Sequence, residues 1–389
     1  MTAHLRAAGG RVHRALLRGL LRLLSPRVGE PVPAPRVRRI LVSGSMGIGN
    51  AIMMEPLLRA LREHYPQAHL AAAVERRSAS LALLRWPGLV DEIVEVEGRN
   101  RWTRLVAGLR LARRRWDLCI VRFNGAAYEM VIAAIFGRIP WRAGHVTSGR
   151  FVSSVDWLFN LPVTMGEFEH EVDRYLGLAE RLGHRPTRRV PRLQITAADR
   201  AAGERVLAQL GARADRPLIA IQPGSSPHQT WKRWPIVHWR ELIRGLQGSG
   251  FDVIAMGSVE ERELIDEVCR DSGAFNAAGV CSLPEAAAVL ERSELLVCGD
   301  SALMHLAAAV GTPVVGIFGP TDRTRTGPSG EGHATLVSPA CPHAAPGRAA
   351  CLDVNGNLSP ACTWERCLGD IGPERVLAAV LERRREIAC

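Results

Sequence analysis

The chain has 389 residues, of which 47% are hydrophobic, 23% charged and 5% aromatic, a make-up that excludes disordered and collagen-like classes and allows two hydrophobic cores. Its formal net charge of +11 would suit nucleic acid, a membrane surface or anionic small molecules, but neither a nucleic-acid recognition motif nor interleaved aromatics accompany it, so no nucleic-acid partner is expected. No apolar run reaches the roughly 18–20 residues that span a bilayer, and nine cysteines in so long a chain are not the framework of a small secreted domain, which points to the cytoplasm.

In chain order, Arg11, Arg14, Arg18 and Arg22 recur at helical spacing among Leu16, Leu17, Leu20, Leu21, Leu23 and Leu24. This predicts a basic amphipathic helix, lying on an anionic leaflet or else packed on the protein. Pro31, Pro33 and Pro35 make a stiff linker, so residues 1–38 are read as an extension. From Arg39 onward short β-branched runs alternate with helical patterns, the mark of βαβ units around a parallel sheet. Strands are predicted at 40–43, 70–74, 92–96 and 118–123, with a glycine turn over 46–50 and a helix over 51–64. A helix over 169–182 leads into a polar, arginine-rich segment, 183–217, where the domain junction is placed. The alternation then resumes with strands at 218–222, 253–256, 295–298 and 314–318 and helices at 235–246, 259–269 and 303–310. The predicted class is α/β, with two Rossmann-like doubly wound parallel-sheet domains over 39–200 and 201–372. A closing helix in 373–389 is in a position to cross back to the first domain.

Ligands of open parallel sheets bind outside the carboxyl ends of the strands, so the strand-to-helix turns are the candidate sites. The first, Gly44-Ser45-Met46-Gly47-Ile48-Gly49-Asn50, lacks both the GxGxxG spacing and a terminal Gly-Lys-Ser/Thr. Gly47 and Gly49 serve either a tight turn or a backbone surface for an anion or sugar hydroxyls. The second turn carries Ser225 and Ser226 and runs on to Thr230-Trp231-Lys232-Arg233-Trp234-Pro235. Lys232 is the only lysine among 50 basic residues. Because an ammonium is a compact point charge and a guanidinium a planar fork, its retention marks a place where arginine does not fit, such as a diphosphate pocket. The third turn offers Glu260, for a ribose hydroxyl or as an ordinary first-turn carboxylate. The fourth, Asp300-Ser301-Ala302-Leu303-Met304-His305, places Asp300 and Ser301 where a helix cap belongs, which is by itself a sufficient structural role. Cys341, Cys351, Cys362 and Cys367 lack the close pairs of strong zinc sites, so they are read as packing cysteines and no metal is expected.

These turns, in this order across roughly Arg39 to Val380, resemble the bacterial heptosyltransferase family, glycosyltransferase family nine. The likeness is carried by Lys-Arg-Trp-Pro at 232–235 and Asp-Ser-Ala-x-x-His at 300–305, followed by Gly311-Thr312-Pro313 and Phe318-Gly319-Pro320-Thr321-Asp322. The resemblance implies the GT-B architecture, an N-terminal acceptor domain and a C-terminal donor domain facing a cleft. It also implies inverting, metal-independent and cofactor-free transfer of a heptose-like sugar from a nucleotide diphosphate sugar, ADP-heptose first, to a lipopolysaccharide core or other cell-surface glycan. By position, Ser225, Ser226, Lys232, Glu260, Asp300, Ser301 and His305 would line the donor site, with Lys232 stabilising the leaving diphosphate.

Two departures stand out. Asp300-Ser301-Ala302 replaces the family's Asp-Thr-Gly, keeping the hydroxyl but restricting the backbone. Asn50 occupies the position of the family's usual base, an Asp, and an amide cannot take a proton as a carboxylate does. Glu55, one turn further along the helix, and Glu129 are the candidate replacement bases. A nucleotide-sugar-binding pseudoenzyme and a GT-B epimerase are therefore kept as alternatives. The expected partners are the donor, a lipid-linked or lipopolysaccharide acceptor and an anionic membrane surface, for a monomer peripheral on the cytoplasmic face of the inner membrane.

Overall fold

A computed structural model of the chain describes residues 34–44, 47–76, 85–96, 100–122, 127–146, 158–166, 169–213, 215–339 and 367–388, with Gly19, Val32, Ser78, Leu83 and Cys351 as single positions. The basic helix expected over 11–24 lies outside the described residues, as do Cys341 and Cys362. Two compact units emerge: Met1–Gly166 with Val172–Arg189, and Glu167–Glu171 with Val190–Cys389.

The first unit is built on a six-stranded sheet of β1 (Arg39–Ser43), β2 (His69–Glu75), β3 (Glu92–Val96), β4 (Leu118–Val121), β5 (Trp141–Val146) and β6 (Leu161–Thr164). The order is β3-β2-β1-β4-β5-β6, with every neighbouring pair parallel. Helix α1 (Ile48–His64) buries Ile52, Leu57, Leu58 and Leu61, the face its periodicity predicts. It starts three residues before the predicted Ala51, with Gly47 at the cap, so Gly49 and Asn50 stand in its first turn. Helices α2 (Arg101–Ala112) and α3 (Ala127–Phe136) pack so closely that a Cβ on Gly108 would stand 2.5 Å from Cβ of Ile132. Leu41, Ala73, Leu111, Trp116, Val121 and Met130 are among the core residues between sheet and helices. Helix α4 (Glu171–Arg181) follows β6.

Strands β5 and β6 escape the sequence pattern. Arg142 and His145 interrupt the apolar run of β5, yet both are buried. Arg142 donates to the carbonyls of Leu158 and Ile139 at 2.7 and 2.6 Å, so a buried cation is satisfied by backbone.

The second unit repeats the plan. Its sheet comprises β7 (Leu218–Gln222), β8 (Asp252–Gly257), β9 (Phe275–Ala278), β10 (Leu295–Gly299), β11 (Val314–Phe318) and β12 (Ala334–Val337), in the order β12-β11-β10-β7-β8-β9. Strands β9 and β12 are the edges of this sheet, short and only partly apolar, and neither follows from the sequence pattern. Around the sheet run α5 (Ala197–Leu210), α6 (Ile236–Gly248), α7 (Arg262–Cys269), α8 (Leu283–Arg292), α9 (Ala302–Val310), the single turn α10 (Arg323–Thr326) and α11 (Pro373–Ala388).

The main run of the second unit starts at Val190, within the 183–217 segment where the sequence places the junction and ahead of the 200/201 boundary. The reason is α5: a Cβ on its Gly203 would stand 2.8 Å from Cβ of Ala288 in α8, so the helix belongs whole to the second unit. Helix α11 also stays there. Its Val376 and Val380 join the core of Ile219, Trp239, Leu242 and Phe251, and a Cβ on Gly245 of α6 would meet Leu377 at 2.7 Å.

Candidate functional site

Numbered within its own unit, each sheet has the strand order 3-2-1-4-5-6. The chain leaves the first strand toward one edge and returns at the fourth toward the other, which opens a crevice at the carboxyl ends of these two strands. In the second unit the strands are β7 and β10, paired from Leu295↔Ile219 to Cys298↔Gln222. The turn after β7 carries Lys232 and the turn after β10 carries Asp300. The fold thus brings together two motifs 68 residues apart: Lys232 Nζ donates to Asp300 Oδ2 at 2.9 Å, with side chains only 14% and 11% exposed. Lys232 Nζ also lies 5.5 Å from the Trp231 ring centroid, a cation–π contact that helps hold the ammonium in place.

Ser301 is the N-cap of α9, with extended φ −143° and ψ 168°, but its side chain makes no capping bond. Its Oγ is buried, and its one polar neighbour among the described residues is the buried Cys298 thiol, a weak partner. The capping role that would have accounted for this residue is therefore not exercised. What stands there is a hydroxyl beside the positive end of a helix whose first amides have no internal acceptor. One turn on, His305 is buried, and burial pushes its imidazole down to about 4, against the opposing pull of Asp300 and with further lowering by His170 and Lys232. At neutral pH it is an uncharged donor and acceptor.

The serines of the second turn divide. Ser225 is buried and works inside the loop: its Oγ donates to Gln229 O at 2.9 Å and accepts from Arg233 Nε at 3.1 Å. Ser226 is exposed. Glu260 is exposed as well, its carboxyl held below the usual range by a hydrogen bond from the Ser258 side chain. It is the neighbouring Glu261 that reaches inward: Oε2 accepts from Ser258 N at 2.8 Å and Oε1 from Gln222 Nε2 at 3.2 Å. A Cβ on Gly224 would fall 1.9 Å from Glu261 Oε1, so glycine there is what admits the carboxylate. Ser258-x-x-Glu261 is a capping box, and that spacing was the signal that could have found Glu261.

Other parts of the motifs are scaffolding. Gly311 closes α9 in the left-handed region at φ 92°, Thr312 Oγ1 donates to Leu290 O at 2.7 Å, and Asp322 Oδ1 caps α10 through Thr324 N at 2.9 Å. Trp234 is a core residue, its ring set edge-on to Trp239 and its Nε1 donating to Ile371 O at 2.8 Å.

In the first unit the corresponding crevice lies between β1 and β4. Ser43, ending β1, accepts from Arg122 N after β4 at 2.8 Å. Gly44 is required by close approach, since a Cβ there would be 2.9 Å from Cβ of Val74. Asn50 is half-buried in the first turn of α1. Glu55 does not stand beside it. Five residues on, it is turned about 140° round the helix, and it is buried and ion-paired with Arg59. Glu129 faces α2 instead, 3.8 Å from Arg104. Among the described residues no group of three His, Cys, Asp or Glu side chains could hold a metal ion. Cys351 and Cys367 are buried, as packing cysteines would be.

The family model of glycosyltransferase family 9 (heptosyltransferase) matches residues 108–351, a span that includes every one of the second unit's motif residues. The chain belongs to glycosyltransferase family 9. It is a glycosyltransferase, with the two parallel-sheet Rossmann-like units of the GT-B fold. It is 28% identical to lipopolysaccharide heptosyltransferase 2 of Escherichia coli strain K12 over 307 residues, which is 75% of this chain and 85% of that protein. To lipopolysaccharide heptosyltransferase 2 of Salmonella typhimurium strain LT2 it is 27% identical over 319 residues, again 75% of this chain and 85% of that one. Among solved structures, E. coli ADP-heptose lipopolysaccharide heptosyltransferase II superposes with a TM-score of 0.69 at 24% identity, covering 90% of this chain and 100% of that one, a likeness of fold. Membership of this family does not favour the epimerase or the pseudoenzyme.

Proposed function

We propose that this glycosyltransferase moves a heptose, with inversion, from ADP-heptose to the lipopolysaccharide core or a related cell-surface glycan. The observation that carries the reading is the buried Lys232–Asp300 pair at the β7/β10 crevice. Ser301 and the amino end of α9 lie beside it. As the bond from the anomeric carbon to the diphosphate breaks, negative charge grows on the leaving phosphate. A fixed ammonium and a helix amino terminus meet that charge without reorganising, which is the larger part of such catalysis. Asp300 holds Lys232 in place beforehand and balances its charge. Neutral His305 and Ser301 supply hydrogen bonds rather than charge. Glu261, anchored under Gly224, and Glu260 on the rim are the carboxylates placed to meet ribose hydroxyls. In this scheme positive charge comes from the protein, and no metal ion or cofactor is required.

Asn50 accepts a hydrogen bond from the acceptor hydroxyl and orients it for attack, with Gly47 and Gly49 shaping that turn. The hydroxyl oxygen forms the new bond to the anomeric carbon, the diphosphate leaves with the old bonding pair, and the proton passes to solvent or to the leaving phosphate. The enzyme works as a monomer at the cytoplasmic face of the inner membrane, where a lipid-linked acceptor is presented.

The test is a binding and turnover screen of nucleotide diphosphate sugars with a heptose-acceptor core, comparing wild type with Lys232→Ala. ADP-heptose should bind and be consumed only with acceptor, and the variant should lose donor affinity. Unchanged affinity of Lys232→Ala for every sugar that binds would show the diphosphate to lie elsewhere.

A further inference from the structure

From Arg101 to Arg115 the chain carries six arginines and no carboxylate. Helix α2 turns Gly108, Leu111 and Ala112 inward against α3. The opposite side presents Trp102, Val106, Leu109 and Arg113, at i, i+4, i+7 and i+11, as one stripe. Trp102 is 76% exposed and Val106 44%. Helix α3 runs alongside in the same direction, Arg104 meeting Glu129 and a Cβ on Gly137 standing 3.3 Å from Cα of Ala112. Its Tyr128 and Phe136, 46% and 63% exposed, therefore stand near the two ends of α2. Arg104 and Arg114 have carboxylate neighbours in Glu129 and Glu92. Arg101, Arg110, Arg113 and Arg115 have none within ion-pair distance among the described residues, and all four are exposed.

We infer that the outer face of α2, with Tyr128 and Phe136 of α3, docks this protein on an anionic phospholipid bilayer. The argument is charge complementarity joined to side-chain type. Tryptophan and tyrosine settle at the headgroup level with an apolar body and a polar edge, and arginines near an anionic leaflet contribute about 1 kcal/mol each. An exposed indole flanked by guanidiniums that have no carboxylate partner among the described residues suits a surface that offers phosphates and acyl chains at the same depth. A nucleic-acid backbone offers the phosphates without an apolar layer for Trp102, Val106 and Phe136. A second copy of this face would bring arginine against arginine. None of these residues belongs to the basic segment at 11–24 or to the donor crevice, so the surface stands or falls separately from the proposed transfer.

The experiment is flotation of the full chain with vesicles of phosphatidylglycerol and phosphatidylcholine, or of phosphatidylcholine alone, without donor or acceptor. Wild type should bind the anionic vesicles and not the neutral ones, with release by salt. Arg110→Gln with Arg113→Gln should lower partition about 30-fold, from about 1 kcal/mol for each arginine. Trp102→Ser should lower it about tenfold. Both changes are at exposed positions, and an unchanged thermal midpoint would show the fold intact. A variant with Arg11, Arg14, Arg18 and Arg22 all changed to Gln provides the contrast. If that variant loses all vesicle binding while the α2 variants bind like wild type, the inference is overturned. It is equally overturned if the α2 variants leave vesicle binding untouched and alter only self-association in sedimentation or retention of duplex DNA.

Discussion

The two crevices of this enzyme share a strand order and differ in the charged groups that line them. At β7/β10 a lysine and an aspartate from distant motifs form an ion pair, with a buried neutral histidine and an uncapped serine beside them. At β1/β4 the corresponding turn presents glycine backbone and Asn50, Arg122 is buried after β4, and Glu55 and Glu129 point to Arg59 and Arg104. The same topology thus holds one crevice organised around a lysine–aspartate pair and one whose described residues offer glycine backbone, Asn50 and the buried Arg122. On the proposed reading, leaving-group stabilisation and acceptor activation are separable, and the groups for the first stand together more completely than those for the second.

The sharpest way to break the comparison is Lys232→Ala against Asn50→Ala in the same transfer assay. Removing a preorganised charge at the leaving group should cost about 10²–10³-fold in kcat, whereas Asn50→Ala should cost less than about tenfold. Equal losses would mean that Asn50 takes part in the chemistry directly.

His305 gives the next effect. Its folded-state value of about 4 lies below the ordinary 6.5, so between these values the unfolded chain binds the proton that the native state refuses. Stability should therefore be full above about pH 6.5 and decline as the pH falls toward 4, by up to about 3 kcal/mol. Urea unfolding across that range should show the slope, and His305→Asn should flatten it.

Asp300→Ala should follow. It leaves Lys232 partly buried without its carboxylate, at a cost of about 1–3 kcal/mol, while the diphosphate would restore a partner. The variant should be measurably rescued by ADP in thermal unfolding, more than wild type is stabilised. Identical shifts would separate Asp300 from the donor crevice. The smallest change expected is Gly224→Ala. The new methyl must displace Glu261 from beneath the turn, so it should weaken nucleotide binding several-fold while folding survives, as isothermal titration and circular dichroism would read.

Much of the fold was legible in the sequence because central parallel strands are buried on both faces and read as continuous apolar runs. Thus 218–222, 295–298 and 314–318 were found within a residue of β7, β10 and β11. Edge strands β6, β9 and β12 were not, since one side of each is unpaired and their apolar content falls. Strand β5 was hidden by Arg142 and His145, whose burial depends on carbonyls contributed by other segments.

For the site, residue type and order singled out Lys232, Asp300 and Ser301, because a lone lysine in an arginine-rich chain and a polar turn after a buried strand are local signals, while His305 entered through the family resemblance. What these side chains do to one another was decided by tertiary structure. Only the adjacency of β7 and β10 sets Lys232 against Asp300. Only the observed geometry shows that Ser301 does not cap its helix, that Glu261 rather than Glu260 turns inward, and that Glu55 faces away from Asn50. Sequence determines which groups are available. Direction, burial and partner follow from strand order and helix rotation, which are properties of the folded chain as a whole.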